Sequence, residues 1–78
     1  MMNVDRARRL YDQGIDAYRA GEYEEALAAL LEARQLFAGE GMRKEESEAL
    51  NDAGVVSIQM EDWEAAQAYL DEALTIRM

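Results

Sequence analysis

Serine and carboxylate are the side chains of this sequence with types suited to covalent or acid–base chemistry, and their surroundings argue against both. Ser47 and Ser57 would act as nucleophiles only beside a base, yet the chain contains no histidine. Glu45, Glu46 and Glu48 fall on neighbouring positions of a helix-like stretch, so their carboxylates diverge around it instead of converging. The absence of cysteine removes disulfides and thiolate metal sites, and the absence of histidine removes the commonest transition-metal ligand. No spacing resembles a calcium loop, and no glycine-rich loop is placed to cradle phosphate. The expectation is a protein without catalytic residues, cofactor or metal, whose acidic clusters form a solvated surface.

With 78 residues, the chain is one small domain spanning 1–78, in the size range where a single core is barely sufficient. Half of it is apolar, it has no proline, and it is rich in alanine, leucine and glutamate, a mixture of helix formers. The net charge of −9 argues against a nucleic-acid binder, which needs an excess of lysine and arginine against phosphate. That charge is uneven. Residues 1–20 hold Arg6, Arg8, Arg9 and Arg19 and are slightly basic, so this segment suits an acidic surface on another copy or a partner. No apolar stretch has the length of a signal peptide core or a membrane span, and a soluble cytoplasmic protein is expected.

Four amphipathic segments are legible. The first is predicted from Asn3, a candidate N-cap, to Ala20, with Ala7, Leu10, Gly14 and Ala17 on one narrow face and Tyr11, Ile15 and Tyr18 beside it. The second is predicted from Glu22 to Ala38, with Tyr23, Ala26, Leu27, Leu30, Ala33, Leu36 and Phe37 inward. The third runs from Met42 or Arg43 to Met60, turning Ala49, Leu50, Ala53, Gly54, Ser57 and Ile58 inward. The fourth starts at Asp62 as N-cap and faces Trp63, Ala66, Leu70, Ala73, Leu74 and Ile76 inward. Gly21, and Gly39 with Gly41, break the chain between segments, and such short connections require antiparallel packing.

A shift of 40 positions lays the chain on itself. "GEYEEALAALLEA" (21–33) returns as "EDWEAAQAYLDEA" (61–73), and Leu10, Gly14 and Ile15 meet Leu50, Gly54 and Val55. Two helical hairpins, at about 7–40 and 47–78, are the simplest account. Gly14 with Ala26, and Gly54 with Ala66, then mark where paired helices come closest. Gly21 becomes Glu61 in the second copy, which predicts either backbone strain at that turn or a different end to its helix.

This pattern resembles the tetratricopeptide repeat: Leu10, Gly14, Tyr23, Ala26, Leu30 and Ala33 in the first copy, and Leu50, Gly54, Trp63, Ala66, Leu70 and Ala73 in the second. The period is longer than the usual ~34 residues and resembles the longer-period subgroup of signalling scaffolds and bacterial repeat proteins. The proline that usually closes a repeat is missing. The resemblance implies an all-α fold of antiparallel helix–turn–helix repeats, an α-solenoid fragment. It further implies a non-enzymatic module that binds a protein or peptide on a concave face lined by the first helix of each repeat. Carried over residue by residue, that face comprises Arg8, Tyr11, Asp12, Ile15, Tyr18 and Arg19, then Glu48, Asn51, Asp52, Val55, Ile58 and Gln59. Tyr11, Ile15, Tyr18, Val55 and Ile58 would form an apolar floor, unless the neighbouring repeat covers part of it. A carboxylate clamp of the chaperone-binding kind is not expected, because its places hold Tyr11, Ile15 and Asp52.

Two repeats fall short of the roughly three that such arrays usually need. Tyr69, Leu70, Leu74, Ile76 and Met78 would be poorly covered at the last helix, which predicts self-association, a two-fold dimer by preference. The basic first segment against the acidic remainder also fits a head-to-tail contact. The alternatives are a purely structural self-assembly unit, an excised or minimal piece of a longer array, and completion by a different protein.

Overall fold

The computed structural model describes residues 2–77. Four helices follow one another: α1 (Met2–Arg19), α2 (Tyr23–Gly39), α3 (Arg43–Gln59) and α4 (Trp63–Arg77). Each packs against its predecessor, giving a slab whose Cα atoms extend 35 × 28 × 13 Å. The thin dimension holds two layers of helices at ordinary interaxial spacing. The all-α repeat architecture expected from the sequence is the one observed.

The same turn joins the helices three times. After each helix one residue adopts positive φ: Gly21 at 79°, Gly41 at 71° and Glu61 at 59°. The next residue donates its N–H back to a carbonyl near the helix end: Glu22 to Ala17 at 2.8 Å, Met42 to Phe37 at 3.0 Å, Asp62 to Ser57 at 2.9 Å. These bonds satisfy carbonyls that a helix end leaves orphaned. Its own carbonyl then accepts the first i→i−4 bond of the following helix, from the N–H groups of Ala26, Glu46 and Ala66. Of the two outcomes expected at Glu61, strain is the one present, since a side chain in the left-handed region costs about 1–2 kcal/mol. Glu61→Gly is expected to raise stability by about 0.5–1 kcal/mol, the relief being partly offset by the greater freedom of unfolded glycine. A higher urea midpoint at unchanged slope would show it.

Close approach within each hairpin is set by glycine. A Cβ on Gly14 would lie 2.7 Å from Cγ of Leu30, and one on Gly54 would lie 2.7 Å from Cγ of Leu70. Gly14 and Gly54 are themselves buried, as are Ala26 and Ala66 opposite them. One core cluster joins the hairpins through Ala26, Leu30, Ala53 and Val56, with Tyr23, Leu27, Leu31 and Tyr69 packed on it. A second, of Ala7, Ala33 and Phe37, closes the other end of the first hairpin.

Several expectations need correction. Asn3 is not an N-cap: α1 already begins at Met2, and the Asn3 amide reaches Glu40 at 3.5 Å. Asp62 does cap, accepting from the Ala65 N–H at 3.3 Å. Ile58 is exposed, and Val56 occupies the core in its place. The signal was available, because Ala49, Ala53 and Val56 recur at helical spacing. Trp63 and Leu74 also point outward, 62% and 59% exposed. They occupy the side of α4 that in α2 is covered by α3, and among the described residues no helix lies over them.

Candidate partner-binding face

The first helix of each hairpin lines one broad face. Across it the Tyr11 hydroxyl of α1 donates to Asp52 of α3, tying the hairpins together. Burial is the largest cause of the raised Tyr11 pKa, and the bond to Asp52 with the charges of Asp52, Glu48 and Asp12 adds to it. The phenol thus stays protonated well above the usual tyrosine value of about 10. Its folded pKa exceeds its unfolded one, so the stability it contributes is complete below about pH 10 and fades as pH climbs beyond that. Tyr11→Phe is expected to be less stable than the parent at neutral pH, with the gap narrowing above about pH 10. Denaturant unfolding of the two proteins along an alkaline series would measure this.

Two recesses flank this bond. One, of about 280 Å³, is lined by Arg8, Tyr11, Asp12, Glu45 and Glu48 and reaches down to Phe37. The other, of about 220 Å³, is lined by Ile15, Tyr18, Arg19, Asp52 and Val55, with Leu30 and Val56 beneath. Arg8, Asp12, Arg19 and Glu48 are exposed at the rim, while Ile15, Tyr18 and Val55 are half-buried. Tyr18 leans on Tyr23, with ring centroids 5.8 Å apart, so part of its surface is committed to packing within the fold. Asn51 is half-buried on α3, and Ile58 and Gln59 are exposed at its end. The structure thus gathers Arg8, Tyr11 and Asp12 at one recess and Ile15, Tyr18, Arg19, Asp52 and Val55 at the other. Asn51, Ile58 and Gln59 line neither of these two recesses.

A polar junction on the opposite face escapes sequence reading. Arg34 of α2 bonds Glu72 of α4 and lies 3.9 Å from Glu46 of α3. Glu46 is therefore not a solvated carboxylate as expected, its side chain being 15% exposed. The repeat itself held the clue, because Arg34 breaks an otherwise apolar stripe on α2.

The two serines first considered for chemistry bond to carbonyls of their own helix. Ser57 is buried and donates to the Ala53 carbonyl, and Ser47 donates to that of Lys44. Among the described residues no group of acids could hold a metal ion, and no helix is long and apolar enough to cross a membrane. The residues proposed for self-association are dispersed. Tyr69 packs on the core, Leu70 sits over Gly54 and Ile76 is half-buried. Leu74 is exposed, and Met78 lies outside the described residues.

Comparisons with curated proteins and with solved structures give no match. The family profile described as Tetratricopeptide repeat matches residues 5–78. That span takes in α1 from Asp5 onward and all of α2, α3 and α4, with both glycine approach points and the three turns, and on it the chain belongs to the tetratricopeptide repeat family.

Proposed function

We propose that this chain is a non-enzymatic interaction module that binds a segment of a partner protein across the α1–α3 face. Membership of a family of protein-interaction repeats supports the general reading. One observation carries the specific one: a recess lined by half-buried Ile15, Tyr18 and Val55 beside Arg19 adjoins a second in which Arg8 and Tyr11 lie among Asp12, Glu45 and Glu48. Such a face takes apolar side chains from a peptide and fixes its register through charge at the rim. The bond between Tyr11 and Asp52 divides the face, so the ligand would place one side chain on either side of it. Selection of peptides from a random library against the full chain tests this. Selected peptides should lose binding to Val55→Lys while its helicity and mass in solution stay unchanged. Equal binding to Val55→Lys would sink the proposal.

Self-association through α4 is a second reading, favoured by Trp63 and Leu74. They stand eleven positions apart, three helical turns, and so share one exposed stripe. A two-fold contact would bring Trp63 of each copy towards Leu74 of the other. Light scattering of the parent and of Trp63→Glu should then differ by a factor of two in mass. A monomeric parent at micromolar concentration would refute it.

A further inference from the structure

The internal repeat supplies a template for a surface that the α1–α3 face does not include. Between α3 and α4, the second hairpin receives α2: Leu27 and Leu31 pack on the cluster containing Ala53 and Val56, and Arg34 meets Glu72. The equivalent furrow of the first hairpin, between α1 and α2, is open. It measures about 570 Å³ and has Leu10, Ala17, Ala28 and Ala29 along its floor.

Shifting by 40 positions shows what differs. Ala53 and Val56 are replaced by Gln13 and Asp16, Ala65 by Glu25, and Tyr69 by Ala29. The furrow is thus wider where alanine replaces tyrosine, and its rim carries Asp16, Glu22 and Glu25. Among the described residues no cation pairs with these three carboxylates. Glu32, the counterpart of Glu72, is different. It is already held by Arg6 of the same hairpin at 2.7 Å.

From this we infer that the α1–α2 furrow docks a cationic amphipathic helix of a partner protein, laid as α2 lies on α3 and α4. Apolar side chains at i and i+4, as at Leu27 and Leu31, enter the furrow, and lysine or arginine beside them meets Asp16, Glu22 and Glu25. Floor alanines admit larger side chains there than the internal junction does. A second copy does not fit. Its α4 would present Gln67 and Asp71 at the places of Leu27 and Leu31, and Leu74 at that of Arg34. Asp71 would face the acidic rim, and like charges at an interface repel. The head-to-tail contact expected from the basic first segment is disfavoured on the same ground.

The test uses a fluorescently labelled, helix-forming peptide with leucine at i and i+4 and lysine on the flanks, titrated against the full chain by anisotropy. A twin peptide with glutamate for lysine is the charge control. Asp16→Lys with Glu25→Lys is expected to weaken the lysine peptide by about tenfold or more. The same change in charge at exposed Glu64 and Asp71 should cost about twofold, through the long-range field alone. Ala29→Trp, which fills the furrow without altering charge, should also weaken binding. Circular dichroism confirms that each variant is folded. Equal loss in the two charge-reversed proteins, retained binding by Ala29→Trp, or no binding of the lysine peptide overturns the inference. So does loss of binding on Val55→Lys, which would place the peptide on the α1–α3 face. A dimer of the parent dispersed by Glu25→Lys would make a second copy the occupant and overturn it equally.

Discussion

Leu30→Ala is expected to lower unfolding free energy by about 2–5 kcal/mol, the range for deleting a fully buried leucine. A chain of this size has only about 4–12 kcal/mol in total, so the variant should unfold at markedly lower urea and be partly unfolded at physiological temperature. Leu30 is completely buried. It rests on Gly14 within its own hairpin and belongs to the cluster that joins the hairpins through Ala53 and Val56. Removing it opens a cavity at both contacts at once. Leu70→Ala is the internal control: Leu70 sits over Gly54 in the same way, but it is only half-buried. Its loss should cost clearly less. Equal midpoints for the two variants in urea unfolding would contradict the burial on which the ranking rests.

Gly54→Val is the second large effect, expected at about 1–3 kcal/mol through overpacking. The new Cβ would stand 2.7 Å from both Cγ and Cδ2 of Leu70 and 3.4 Å from the Ala66 carbonyl oxygen. Cγ is not the free end of the side chain, so Leu70 cannot yield without moving as a whole, and α3 and α4 must separate. Valine's better helix propensity returns only a few tenths of a kcal/mol. Ala66→Leu attacks the same approach from α4, where Ala66 is 4% exposed, and should fall in the same range. Gly39→Val makes the contrast, since a Cβ there meets nothing within 4 Å. Thermal unfolding of the three proteins should place Gly39→Val near the parent and the other two well below it.

Much of the candidate face was legible, and the reasons are local. Ile15, Tyr18 and Val55 follow from helical period and from the side of the hairpin on which the pattern places them. The Tyr11 contact was not legible, because its hydroxyl meets a carboxylate 41 positions away. Periodicity shows that the two side chains share a face. It does not show that the hairpins bring them into bonding distance. Arg34 is the same case on the opposite face, held by carboxylates from two different helices. The acidic furrow between α1 and α2 depends on both levels: the repeat sets which residues line it, and the packing of the helices leaves it open.

By itself the sequence determined four helices, their breaks at Gly21 and Gly41 and the glycine–alanine approach points. Each depends on residues within a few turns of one another, or on a pattern that repeats. Thin cover over the last helix was expected at Leu70 and Leu74, but tertiary structure alone decided that Trp63 shares it. Tyr23 packs into the core between the hairpins, while Trp63, its counterpart, is 62% exposed. Leu30 is enclosed and Leu70 is not. The two copies carry the same pattern, but burial belongs to the neighbour as well as the residue, and only one of them has a helix over it.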